Sequence, residues 1–170
     1  MAGLDFTNGK RKRQSSPRIP LMVSVLAVAG FFALQKHAER REVCQTAIVS
    51  IEAADGFHDF AASVAATSKQ RAQGMQGKSS FEPYEAMLFV YQKPRTVQFW
   101  MKNTPLELDI LFVGAGGRLQ NIHENAKPFS SVPILSGENV VAVVEIPAGS
   151  VSEIGIRPNG QVHFELSACP

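Results

Sequence analysis

"FWMKNTPLELDILF" (residues 99–112) carries the only tryptophan of the 170-residue chain and sets Lys102, Asn103, Glu107 and Asp109 among apolar side chains. Neighbouring strand residues point to opposite faces. On that period Phe99 and Met101 share one face, and Gln98, Trp100 and Lys102 the other. After "NTP", residues Leu106, Leu108, Ile110 and Phe112 form an apolar face, with Glu107, Asp109 and Leu111 opposite. The pattern predicts two strands, 96–102 and 106–113, with a turn at Asn103 and Thr104; if they pair as a hairpin, register decides whether Asp109 shares a face with Lys102 or with Asn103. Side chains of those types bond turn backbone groups. Two readings of the polar residues follow. In one, Asp109 is a hydrogen-bonded brace or the ion-pair partner of Lys102. In the other, Trp100, Lys102, Asn103 and Asp109 converge on a ligand.

The flanking segments extend the same architecture. "TAIVSIEAADGFHDFAASVAA" (46–66) reads as a hairpin around Asp55-Gly56, a dipeptide suited to tight turns. Thr67 or Ser68 is placed to cap a short helix that Gly74 ends. "EAMLFVY" (85–91) is a strand broken at Lys93-Pro94, and "GAGG" (114–117) lacks the spacing of a phosphate-binding loop and reads as a turn before the strand "RLQNIHE". Residues 125–139, with Pro128, Pro133 and Gly137, form a long surface loop, and "VVAVVEI" (140–146) is the most β-prone run and so a central strand. Ser150 and Glu153 have capping-box spacing for a second short helix before the last strand, "QVHFELS". Strands with two short helices predict a mainly β, α+β domain: a compact, largely antiparallel sheet or partly closed barrel. Parallel crossovers would call for longer helices.

Charge is distributed unevenly. Residues 1–42 hold eight Lys or Arg against three Asp or Glu; residues 43–170 hold nine against twelve. No basic stripe interleaved with aromatics marks the acidic part, which argues against a nucleic-acid partner. The N-terminus instead runs from "KRKRQSSPR" (10–18) into an uncharged stretch at 19–35. Basic followed by apolar is the order of an export signal, with the basic side left in the cytoplasm. Residues 1–35 are therefore expected to be an export signal or an uncleaved apolar helix anchoring the chain in the membrane through 19–35. Residues 36–42 would be a linker and 43–170 a β-rich domain in the periplasm or cell envelope. There, Cys44 and Cys169 are candidates for a disulfide closing a loop of over a hundred residues, worth up to about 5 kcal/mol.

Catalytic motifs are sparse. His58, His123 and His163 lack metal-ligand spacing, and no nucleophile elbow, zinc-protease motif or dinucleotide fingerprint occurs. No metal or cofactor is expected. Glu145 stands out as a carboxylate at the end of an apolar strand. It is either solvated, or buried beside a cation such as Lys102 or Arg71, or buried alone with a raised pKa. Together with Asp109 it would make the carboxylate pair that glycoside hydrolysis uses.

At these residues the chain resembles the bacterial and archaeal domain of unknown function 192 family, whose pattern is close to FWMKNT, a short gap, PLD and an apolar run. "KQRAQGMQGKSSFEPYEAMLFVY" and "VVAVVEIPAGSVSEIGIRPNGQV" are similar to its flanking motifs, so the resemblance covers about residues 45 to 166. Glu107, Ala86 and Gln161 depart from the family's usual Pro, Gly and Asp. The resemblance implies a compact β-rich fold and frequent export, supplies no reaction, and aligns Trp100, Lys102, Asn103, Asp109 and Glu145 with the family's polar motif. The leading expectation is a non-enzymatic envelope domain that binds a small polar ligand or an envelope protein in a cleft near Trp100–Asp109. Trp100 would be a stacking wall, Lys102 and Asn103 donors, and Asp109 and Glu145 acceptors. The alternatives are a hydrolase of envelope glycan or a small metabolite through Asp109 and Glu145, and a structural accessory of a membrane complex.

Overall fold

A computed structural model describes residues 46–167. The expected signal or anchor, the linker, and both Cys44 and Cys169 lie outside those residues. Nine strands are formed: β1 (Thr46–Ala53), β2 (Gly56–Ala65), β3 (Glu85–Arg95), β4 (Gln98–Phe99), β5 (Leu108–Gly114), β6 (Leu119–Ala126), β7 (Ile134–Leu135), β8 (Val140–Pro147) and β9 (Val162–Ser167). Two short helices, α1 (Ser68–Gln73) and α2 (Ser150–Ile154), complete the described elements, apart from a 3-10 turn at Ala115–Gly117. Seven strands make one sheet in the order β6-β5-β8-β3-β2-β1-β9, and β4 and β7 make a separate two-stranded ribbon. Among the described residues no helix is long and apolar enough to cross a membrane.

The domain is mainly β, as expected, but the sheet is mixed. β2 and β3 run parallel while their neighbours pair antiparallel. A crossover needs enough chain to return to the sheet, a dozen residues or more, and a long helix is only one way to supply it. Residues 66–84, of which α1 is a small part, suffice. The sheet is also not closed: β6 and β9 remain its edges. They meet only near an isolated bridge between Arg118 and Gln161, where the Leu119 amide donates to the Gly160 carbonyl at 2.9 Å.

Local chemistry explains most boundaries. The first hairpin pairs Ala53 with Gly56, so its turn is Ala54-Asp55, one residue earlier than "DG" suggests; Gly56, at φ 135°, leads into β2. Thr67 accepts from the Gln70 amide while the Gln70 side chain accepts from the Thr67 amide, a full capping box on α1. The expected capping box of α2 is not used. Gly149 takes the N-cap position with no side chain to contribute, and Ser150 is the first helical residue.

Each sheet face has its own core. Side chains from all seven strands, among them Val49, Phe60, Leu88, Leu111, Leu119, Val144 and Val162, gather on one face with Val151 and Ile156 from and after α2. The other face is narrower. There Phe89, Leu108, Ile110, Phe112 and Val143 are covered by Met75, Val97, Met101 and Ile134. A fully buried side chain of this size contributes about 1.5–3 kcal/mol, so the covering segments are held mainly by their apolar contacts.

The hairpin of residues 96–102 with 106–113 is not formed. Only Gln98 and Phe99 are strand, and they pair with Leu135 and Ile134 rather than with β5. The reason is Phe99. Its ring meets Phe89 edge-on at 5.0 Å and Phe112 at 6.0 Å, so β4 lies over the sheet instead of within it. Its partner β7 comes from the segment expected to be loop throughout.

Candidate functional site

Asp109 is fully buried on the wider core face. One carboxyl oxygen accepts from the Asn125 amide at 2.9 Å, and the other from the Val151 amide, also at 2.9 Å. The second bond caps the first turn of α2 at the buried Val151 amide, the role a local N-cap side chain ordinarily fills. Asp109 thus ties β5, the end of β6 and α2 together, and Lys102 is not its partner among the described residues. The hydrogen-bonded brace is the geometry found.

Glu145 sits on the opposite face. In the β5–β8 register Asp109 lies across from Ile146, and Ile110 across from Glu145. Directly paired residues point to the same side, so the two carboxyl groups are separated by the sheet. They cannot flank one glycosidic bond, which requires carboxyls facing each other across an open gap; the expected catalytic pair is not formed. Glu145 is only 5% exposed, with Met87 and Ile110 as its lateral neighbours. Its Oε2 is the one buried side-chain polar atom without a hydrogen-bond partner among the described residues. Neither Lys102 nor Arg71 forms an ion pair with it. Burial pushes its pKa from 4.5 to about 8, so it takes up a proton near neutrality rather than hold a charge out of water.

Trp100, Lys102 and Asn103 belong to a third location. The Thr104 amide donates to the Met101 carbonyl at 3.0 Å, closing a turn in which Asn103 is left-handed at φ 57°. Asparagine tolerates that conformation, which accounts for the residue type at this position. The Asn103 carbonyl accepts from the Gly77 amide at 2.9 Å and its side-chain amide donates to Gln76 Oε1 at 3.2 Å, pinning the turn to the loop after α1. Lys102 points to solvent. Trp100 is more than half exposed, and so are Phe129, Val132 and Leu135 from the facing segment. The two segments are joined by the Met101 amide on the Ser130 carbonyl (2.9 Å), the Phe129 amide on the Thr104 carbonyl (3.1 Å) and the Gln98–Leu135 pair. The five sequence-expected site residues are therefore not one cluster. Trp100, Lys102 and Asn103 share a surface ribbon, Glu145 belongs to the core face below that region, and Asp109 lies across the sheet.

A concavity lies elsewhere. A cleft of about 570 Å³ is lined by Arg71, Tyr91, Lys93 and Arg95 with Thr67 and Ser68. The sequence marks Arg71 only as a counter-ion for Glu145 and Lys93 only as a strand break, and it gives Tyr91 and Arg95 no site role. The signal available was "YQKPR" (91–95), two cations around a proline following a strand. Two smaller clefts lie around Gly155–Gly160 and around Phe81–Tyr84. Among the described residues no group of three or more His, Cys, Asp or Glu is placed to hold a metal ion.

Fold and side chains together define a small mixed-sheet domain with an exposed aromatic ribbon and one partnerless buried carboxyl. Residues 49–164 match the model of DUF192, described as an uncharacterized ACR, and the chain belongs to that family. It is similar to the crystal structure of a candidate transcription regulator from Sinorhizobium meliloti 1021, at 36% identity and a TM-score of 0.68 over 72% of this chain and 95% of that one. It is also similar to a protein of unknown function from Novosphingobium aromaticivorans DSM 12444, at 34% identity and a TM-score of 0.67 over 68% of this chain and 83% of that one. No curated protein matches.

Proposed function

We propose that this is a non-catalytic binding domain of the cell envelope, exported behind residues 1–35, whose ribbon around Trp100 docks on another envelope protein. The observation that carries the reading is the grouping of Trp100, Phe129, Val132 and Leu135. These are four large apolar side chains, each more than half exposed, on two segments hydrogen-bonded to one another. Exposed apolar side chains grouped on joined segments mark an interaction site, and a tryptophan among them is a typical anchor. Lys102 and Lys127 flank it in the chain and stay exposed, which favours a partner with acidic residues beside its apolar segment. A protein partner fits better than a small polar ligand. The acceptors that such a ligand would have used are committed in Asp109 and buried in Glu145, and neither reaches the ribbon's outer side.

The transcription role suggested for the Sinorhizobium relative is disfavoured here by charge, since residues 46–167 carry nine Lys or Arg against twelve Asp or Glu. The test is site-directed photo-crosslinking at position 135 of the full chain in intact cells, with and without Trp100→Ser. A discrete protein adduct in the envelope fraction is expected, reduced at least tenfold by Trp100→Ser, since an anchoring tryptophan contributes about 2 kcal/mol or more. An adduct indifferent to Trp100→Ser, adducts to lipid alone, or a chain recovered in the cytoplasm would each overturn the reading.

A further inference from the structure

We infer that the cleft between α1 and the end of β3 is a binding site for a small phosphate-bearing anion. The cleft brings three cations, Arg71, Lys93 and Arg95, to one concavity, and among the described residues no acidic side chain lines it. Among the described residues the ion pairs are His58–Asp55 and Lys78–Glu85, so none of the three cations is neutralised by a carboxylate. Surface Lys and Arg elsewhere can turn into water. Here two guanidinium groups are drawn to one ring, with Arg71 5.1 Å and Arg95 5.8 Å from the centre of Tyr91.

Arg71 is fixed. Its Nη1 donates to the carbonyls of Ala66 and Val90, and its Nη2 donates to the Ser68 hydroxyl at 3.3 Å. Among the described residues that leaves its Nε–H and one Nη2–H uncommitted, on a side chain held by backbone both just after β2 and in the middle of β3. Holding a guanidinium in place lowers the ordering cost of binding, and a planar fork beside a second guanidinium and an ammonium suits a tetrahedral dianion. The Ser68 hydroxyl, an acceptor for Arg71, keeps its own proton to donate. Tyr91 supplies the floor. Burial raises its pKa, Arg71 and Arg95 oppose the rise and the Glu145 carboxyl adds to it, so its hydroxyl stays protonated beside the cations and adds no negative charge to the cleft.

Neither the docking ribbon nor Asp109 lines the cleft, and Glu145, though its charge reaches Tyr91, does not line it either, so this site stands or falls separately from the proposed partner surface. The probe is inorganic phosphate, added to the full chain at constant ionic strength with chloride as the reference, read by calorimetric titration and by the shift of the thermal midpoint. A saturable phosphate response is expected, weakened about tenfold by Arg95→Gln and again by Lys93→Gln, in keeping with a charge-assisted bond for each cation removed. Lys102→Gln, on the ribbon, should leave the response unchanged. Arg71→Lys tests the fixed fork without removing the charge and should also weaken binding. A nucleoside monophosphate and a short single-stranded oligonucleotide form two further arms. Response to the mononucleotide supports a phosphate-ester ligand. Binding confined to the oligonucleotide, no phosphate response in the wild-type chain, or an equal response in Arg95→Gln and Lys102→Gln would overturn the site.

Discussion

Asp109 and Glu145 lie one register step apart on adjacent strands, and both are removed from water, yet the fold treats them in opposite ways. Asp109 faces the side where a helix begins and a strand ends, and each of its oxygens meets a backbone N–H at 2.9 Å. Glu145 faces the side where Met87 and Ile110 are its lateral neighbours, and among the described residues its Oε2 meets no donor. Depth of burial is nearly the same for the two. What separates them is the supply of unpaired amides, which come from element ends and are absent from the middle of a paired sheet. One carboxyl therefore organises the fold, and the other is a cost that the fold bears.

The sharpest way to break the comparison is Asp109→Leu. It removes both acceptors, leaving the Val151 amide buried without a partner and the part-buried Asn125 amide without its bond, for an expected loss of roughly 5 kcal/mol in urea unfolding. A loss below about 1 kcal/mol would mean that the brace is dispensable. Glu145→Leu should act in the other direction, and with a pH signature. The folded pKa of about 8 stands above the ordinary 4.5. The native state therefore binds the proton more tightly than the unfolded chain between those values. Stability is highest below the lower value, declines as pH rises through the window, and levels off above about 8. From about pH 5 to pH 8 the wild type should lose about 4 kcal/mol that Glu145→Leu does not lose. Parallel stability profiles for the two proteins would show that the carboxyl is not isolated. The smallest effect is expected at Asn125, which is left-handed at φ 53° and uses its backbone N–H, not its side chain, on Asp109. Asn125→Gly should be nearly neutral, whereas Asn125→Ala should cost about 1 kcal/mol through its β-carbon. A larger loss in the glycine variant would assign the work to the asparagine side chain.

Much of the frame was legible because its signals are local. The first hairpin, the Thr67 cap, the buried β8 and the turn at Ala115–Gly117 each follow from a few adjacent residues. What escaped depends on distant partners. Alternation predicted a strand through Trp100, but the packing of Phe99 against Phe89 and Phe112 lifted that segment off the sheet, and its true partner lay in a stretch that reads as loop. Ser150 and Glu153 have the right spacing for a local cap, yet the helix takes its cap from Asp109, a relation that no window of sequence contains. The candidate site split for the same reason. Closeness in sequence brought Lys102, Asn103 and Asp109 together on paper, while strand register decides which side of a sheet a carboxyl occupies. Glu145 is conspicuous in sequence as a carboxylate on an apolar strand, but which of its three environments applies is a matter of tertiary structure.

The cap on α2 has a consequence for how the chain reaches this structure. Five residues are too few to persist as a helix alone, and the group that would steady them is 42 positions upstream. That carboxyl arrives only once β5 has found β8, a contact with a long loop to close. The helix is thus a late passenger of sheet assembly. A chain stalled before that pairing would present 148–156 as unstructured polypeptide, with Val151 and Ile156 bare to whatever chaperone or protease surveys it.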